Sequence, residues 1–328
     1  MGHADRATYF STAVADLAML TDDNRYRTAV DRIWANAVHR KHFLTGGVGA
    51  SHRGEAFSDD FDLRNDGYCE SCAGCGMTFW ADRLNRMHHD AHHLDVQERT
   101  LYNHVLGAVE LSGENFFYQN PLASDRARYP WHGCPCCVGN IPRALLGIKD
   151  LTYAIDAERE TLHVCHFVAG EGTIEDVAGT SLRIRQETDY PWSGEVRIAL
   201  APETPAEFTL KIRIPDRTES ELYLAAPDLS GQFAVALNGA RQKLAVERGF
   251  VGLRRKWQEG DVVTVALPMD VQRMRCDERV RANLGRVALV RGPITYNVED
   301  VDHGCDAFLE RGEHARADSA QDGRPQHR

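Results

Sequence analysis

Nine cysteines, at positions 69, 72, 75, 134, 136, 137, 165, 276 and 305, are the residues best suited to do chemistry in this chain. Six of them fall into two runs, Tyr68-Cys69-Glu70-Ser71-Cys72-Ala73-Gly74-Cys75 and Cys134-Pro135-Cys136-Cys137-Val138-Gly139-Asn140. An odd count, so concentrated, is a poor disulfide framework; in a reducing compartment such clusters bind metal or catalyse. Thiolates are strong, soft ligands for zinc, and a carboxylate such as that of Glu70 can complete a tetrahedral site. Adjacent cysteines like Cys136 and Cys137 rarely bridge each other, whereas one metal can take both. Each run stands where a helix is expected to begin, and the dipole there favours thiolate over thiol. Spacing alone leaves three alternatives open: a catalytic metal centre, a closed zinc staple or iron–sulfur site, and buried free thiols.

Helices must hold both runs. Phe10, Ala13, Val14, Leu17 and Leu20 recur at helical spacing and predict one buried stripe; Val30, Ile33, Trp34 and Ala37 predict a second. Thr21-Asp22-Asp23-Asn24 between them is a turn with capping residues. A polar, Gly-rich loop runs from Thr45 to about Gly67, and helical patterns return over about 70–87, 92–112 and 140–150. From about residue 160 the period changes to 2. The stretches 162–168, 182–185, 196–200, 208–214, 233–237 and 262–267 alternate apolar and polar residues, with turns at Asn238-Gly239 and Glu259-Gly260-Asp261. That pattern predicts an antiparallel β-sandwich. The expected organisation is a helical domain over 1–155, a sandwich over 156–305, and a polar tail over 306–328 read as disordered.

The chain of 328 residues, 43% hydrophobic and 26% charged, has the balance of a soluble globular protein with room for two domains. Its net charge of −10 and lack of a Lys/Arg block argue against nucleic acid as a partner and fit a neutral ligand such as a sugar. Met1 to Arg6 has neither a secretory nor a myristoylation pattern, and no apolar run approaches the ~18 residues that span a bilayer. No membrane association and a cytoplasmic location are therefore expected. His88-His89-Asp90-Ala91-His92-His93 offers i,i+4 histidine pairs but no His-Glu-x-x-His, and reads as a solvated helix end or loop. Trp192 could stack on a sugar, but its strand pattern reads as core. Cys69, Cys75 and Cys134 read as packing residues.

Further stretches accompany the cysteine runs in order: Gly2 to Arg6, Thr45 to Gly49, Gly54-Glu55-Ala56-Phe57, Glu98 to Asn103, and Phe117 to Leu122. Asn140 closes the second run and Arg143 follows it, and Tyr190 to Gly194, Ile212 to Pro215 and Gly285 to Pro293 continue the set. With them the chain, from residue 2 to about 305, resembles glycoside hydrolase family 127, the β-L-arabinofuranosidases. The resemblance implies a zinc ion on Glu70, Cys72, Cys136 and Cys137, with Cys136 as nucleophile and Glu55 as general acid/base. It implies sugar contacts from His3, Glu98 and Tyr118. A thiolate would then replace the carboxylate nucleophile of most retaining glycosidases, and Glu55 must carry a proton at rest.

The resemblance also implies an (α/α)6 barrel, of which this chain would hold the second half, followed by the sandwich. Family members are about twice as long, so the chain reads as a fragment whose activity alone is open. The expected substrate is a small oligosaccharide or arabinofuranoside from plant-derived glycans; a homodimer is left open. The alternatives are a structural zinc or iron–sulfur protein and a carbohydrate-binding module.

Overall fold

The protein is described by a computed structural model covering residues 2–216 and 220–298. The first half is helical: α1 (Ala4–Thr21), α2 (Asn24–Arg40), α3 (Ser71–His88), α4 (His92–Thr100), α5 (Cys136–Leu146) and α6 (Ile148–Thr152). α4 runs on into a π-helical turn, Leu101–Leu106. Asp23 caps α2 by accepting from the Arg25 N–H at 2.8 Å, as its place in the turn predicts. α3 is the central helix, buried along most of its length against α1, α4 and α5. Two glycines permit that closeness: a Cβ on Gly76 would lie 2.1 Å from Thr8 Oγ1, and one on Gly74 would lie 2.1 Å from His104 Cδ2.

This close packing overturns the expected face of α1. Its buried residues are Ala4, Thr8, Ser11, Ala15 and Ala18, a stripe of small side chains that lets α3 approach. The bulky residues point outward, with Phe10 69%, Leu17 38% and Leu20 85% exposed. α2 buries Val30, Trp34 and Ala37 as predicted, while Ile33 turns outward.

The second half is built from strands. These are β1 (Tyr153–Ile155), β2 (Thr161–Val164), β3 (Gly170–Val177), β4 (Thr180–Thr188), β5 (Glu195–Pro202), β6 (Ala206–Arg213) and β7 (Tyr223–Ala226). They continue with β8 (Ala234–Leu237), β9 (Ala240–Gln242), β10 (Phe250–Trp257), β11 (Asp261–Ala266), β12 (Val271–Cys276) and β13 (Ala288–Arg291). One sheet runs β1-β2-β6-β10, a second β3-β4-β5-β11-β8-β9, and in a third β12 lies between β13 and β7. The first two sheets share a core that includes Leu162, Ile184, Ile198, Phe208, Leu210, Trp257 and Val263. Among the described residues the pairing is antiparallel with one correction to the sequence reading: β2, which follows β1 as its antiparallel neighbour, runs parallel to β6. Asn238 and Gly239 both adopt positive φ, 50° and 82°, and turn β8 into β9 as an Asn-Gly hairpin should.

The helical layer and the sandwich are joined by buried polar contacts. Arg213, at the end of β6, reaches Asp95 at 2.7 Å and also pairs with Glu98, both on α4. Asn103 donates to the Pro293 carbonyl at 2.8 Å and accepts from the Thr295 N–H at 2.7 Å. Cys305 and the expected tail over 306–328 lie outside the described residues.

Candidate active site

Glu70 is the residue before α3 and Cys72 lies in its first turn, while Cys136 and Cys137 open α5. Because α5 packs on α3, the two helix beginnings meet. Cys72 Sγ is 3.1 Å from Cys137 Sγ, and the Cys136 and Cys137 sulfurs are 3.9 Å apart. Glu70 Oε1 lies 3.4 Å from Cys136 Sγ and 3.7 Å from Cys137 Sγ. All four ligand atoms fall within 4.8 Å of one another. With zinc–sulfur bonds of about 2.3 Å, neighbouring sulfurs on one tetrahedral ion are ~3.8 Å apart. Asn140 Nδ2 donates to Cys72 Sγ at 3.1 Å, steadying that sulfur.

The donor set fits a soft divalent cation. Glu70 is 2% exposed, and its Oε2 finds no hydrogen-bond partner among the described residues. Burial, followed by Glu55 and Asp5, raises the Glu70 carboxyl above its ordinary range. Burial raises the Cys136 thiol, and the neighbouring Cys72 together with burial raises Cys137. Protein groups alone thus favour neutral thiols here; a bound cation would reverse that preference.

Glu55 faces this cluster from the Gly-rich loop. His3 Nε2 meets its Oε2 at 2.8 Å, and the Tyr68 hydroxyl donates to its Oε1 at 2.6 Å. The loop is strapped to the start of α1 by the Phe57 N–H donating to the Gly2 carbonyl at 3.1 Å, and it is closed on itself by paired bonds between Ser51 and Ala56. Gly49, at φ 87°, is needed: a Cβ there would lie 2.6 Å from Ala4 Cβ, next to His3. Glu55 and Cys69 themselves hold positive φ, 51° and 45°, conformations that cost a non-glycine residue energy and recur at functional sites.

Tyr118, 1% exposed, links the two ends. Its hydroxyl lies 3.4 Å from Glu55 Oε1 and 3.4 Å from Cys136 Sγ. Its carbonyl accepts from the Ser71 N–H at 2.9 Å, and the His132 ring stacks on it with centroids 3.9 Å apart.

The structure therefore brings together Cys136, Glu55, Glu70, Cys72, Cys137, His3 and Tyr118. Glu98 is 2% exposed and paired with Arg213. Tyr68, Asp5 and His132 join the site without having been singled out. Tyr68 stood inside the first cysteine run, and Asp5 beside His3, so proximity to a motif was the only signal. Asp5 is raised by burial and by Glu55, against the pull of His3.

Cys69 and Cys75 are buried, as packing residues should be, but Cys134 is exposed, with its sulfur 3.7 Å from Cys136 Sγ. Trp192 is 65% exposed, correcting its reading as core: it lies in the bend between β4 and β5. Among the described residues the 88–93 histidines form no metal-ligand group. His92 instead sits between Asp90, at 2.6 Å, and Asp216, at 3.0 Å, and Asp216 and Asp90 push it up to about 11.

Residues 1–150 match the family model described as "Beta-L-arabinofuranosidase, GH127 catalytic domain", and 161–269 match the corresponding middle domain. Residues 271–322 match the "Glycoside hydrolase family 127 C-terminal domain", so the family pattern continues past 306 into the stretch whose composition suggested a tail. The non-reducing end beta-L-arabinofuranosidase of Bifidobacterium longum subsp. longum is 31% identical over 326 residues, covering 94% of this chain and 47% of that protein. A solved GH127 beta-arabinofuranosidase superposes with a TM-score of 0.86 at 38% identity, over 90% of this chain and 47% of the other. The GH127 beta-L-arabinofuranosidase of Geobacillus stearothermophilus T6 gives 0.84 at 38% identity, over 92% and 48%. The chain spans about half the length of the relatives it matches. Among the described residues no helix is long and apolar enough to cross a membrane.

Proposed function

We propose, for a chain that belongs to glycoside hydrolase family 127, that it carries the centre of a retaining β-L-arabinofuranosidase with Cys136 as nucleophile and Glu55 as acid/base. The observation that carries this reading is the Tyr118 hydroxyl, 3.4 Å from both Glu55 Oε1 and Cys136 Sγ. The acid/base and the nucleophile thus meet at one hydroxyl, which supports their acting on the same glycosidic bond. Glu70, Cys72, Cys136 and Cys137 would hold a zinc ion, which would favour the Cys136 thiolate over the thiol at neutral pH.

Cys136 attacks the anomeric carbon while Glu55 gives its proton to the leaving oxygen, so the C–S bond forms as the C–O bond breaks. In the second step Glu55 takes a proton from water, the new C–O bond forms, and Cys136 leaves as thiolate. His3 and Tyr68, each on a different oxygen of Glu55, fix the direction in which its proton can move. The side chain of Glu55 stays 30% exposed, which leaves room for the leaving group and then for water. His3 and Tyr118 are read as contacts to the furanose ring. Glu98, held by Arg213, is read as fixing α4 on the sandwich instead.

The substrate class is taken from the relatives' names: β-L-arabinofuranosides. The helical half is read as part of an (α/α)6 barrel. Its support is the outward-facing Phe10, Leu17 and Leu20 on α1, apolar residues suited to a further helix. The test is to incubate the 328-residue chain with an aryl β-L-arabinofuranoside and follow both aryl release and the intact mass. Release with one pentosyl unit on the peptide containing Cys136, absent in Cys136→Ala, is expected. Hydrolysis that persists in Cys136→Ala would sink the mechanism, and neither release nor adduct would refute the reading for this chain.

A further inference from the structure

The geometry points to Cys134 as a reserve ligand, which takes the cation position that Cys136 gives up when its sulfur bonds to the sugar; this rests on the metal centre proposed above. Cys134 Sγ lies 3.7 Å from Cys136 Sγ, close to the 3.9 Å that separates Cys136 from its fellow ligand Cys137. Both spacings match the ~3.8 Å expected of two sulfurs on one zinc ion. Yet Cys134 lies outside the group of four whose ligand atoms are mutually within 4.8 Å. It stands one step from the site, and four ligands already fill a tetrahedral ion.

The loop that carries Cys134 is tied to the catalytic residues. The Cys134 N–H donates to His132 Nδ1 at 3.2 Å, and the His132 ring stacks on Tyr118. A buried thiol in this position would serve packing. Cys134 is exposed, and its sulfur is directed at another sulfur.

The chemistry creates the demand. Once Cys136 Sγ bonds to carbon it is neutral, a much weaker donor than a thiolate, and Glu70, Cys72 and Cys137 remain. Cys134 restores both ligand number and charge, and its proton passes to the solvent to which the residue is exposed. When water cleaves the C–S bond the exchange reverses. The competing donor is Glu70 Oε2, buried without a partner among the described residues, which could make that carboxylate bidentate.

Cobalt(II) substitution of the full chain separates the two, because near-ultraviolet thiolate-to-cobalt absorbance counts sulfur ligands. Wild type and Cys134→Ala should show three thiolates. Cys136→Ala should also show three, with Cys134 in the gap, and the double variant only two. Chelator competition should find cobalt bound at least about 10-fold more weakly by the double variant than by Cys136→Ala, the lower end of what losing a supporting group costs. Equal two-thiolate spectra for Cys136→Ala and the double variant would overturn the inference in favour of Glu70 or water. Cys→Ser versions of the same set carry the comparison if an alanine variant does not fold. Wild type without thiolate–cobalt absorbance would overturn the metal centre itself, and the inference with it.

Discussion

Around Arg213 and around Cys136 the protein buries polar groups in opposite ways. Arg213, fully buried, lies between two carboxylates on α4, Asp95 and Glu98, and only its Nε lacks a partner among the described residues. Burial works against its charge, but Glu98 and Asp95 outweigh it and raise its pKa. Around Cys136 like faces like: three thiols and Glu70 converge, with Glu55 and Asp5 behind them, and Glu70 Oε2 and Asp5 Oδ1 find no partner among the described residues. Buried charge that serves architecture is paired, since an uncompensated charge costs several kcal/mol. A cluster of like groups is what a bound cation would relieve, and groups with shifted pKa values gather at functional sites.

The comparison breaks most sharply through activity. Glu55→Ala should lower aryl β-L-arabinofuranoside hydrolysis by about 10²–10⁴-fold, as removing a general acid/base does, without moving the urea midpoint much. Arg213→Met should do the reverse. It strands Asp95 and Glu98 in the interior and should destabilise by about 3–5 kcal/mol in urea unfolding. If Glu98→Gln instead raises KM while leaving stability intact, Glu98 belongs to the sugar and not to the architecture.

Chelation probes the first cluster alone. A cation present at 100 times its Kd stabilises by about 2.7 kcal/mol, so excess chelator should lower the melting temperature of wild type but not of Cys72→Ala/Cys137→Ala. A separate effect concerns pH. Burial, then Arg99, lowers buried His42 to about 3, and burial, then Lys211 and His89, lowers His163 to about 4. Between those values and their ordinary 6.5 the unfolded chain binds protons that the folded one refuses, so stability falls as pH drops through that window. Urea midpoints measured from pH 7 to 4 should fall, and His42→Asn should flatten the slope; an unchanged slope would show that His42 is not held neutral.

Much of the site was legible because its residues lie in short runs. Glu70 with Cys72, and Cys136 with Cys137, are each confined to one helix beginning, where spacing and chemistry are local. Strand positions such as 196–200 were equally legible, since alternation reports a face that one sheet buries. The face of α1 was not. Phe10, Leu17 and Leu20 keep helical period, but Gly76 and Thr8 bring α3 so close that only small residues fit between the helices.

The chain by itself determined which groups could ligate, because that capacity belongs to residue types and their local spacing; the roles of Cys136 as nucleophile and Glu55 as acid/base came only from the resemblance to the family. Only the tertiary structure decided which partners each carboxylate meets. Glu98 is taken up by Arg213 from β6, while Glu55 is held at the thiols by His3, Tyr68 and Tyr118. It also put Cys134 at the surface beside Cys136. Partners so distant in sequence leave no periodic trace, and their meeting depends on how α3, α5 and the Gly-rich loop pack.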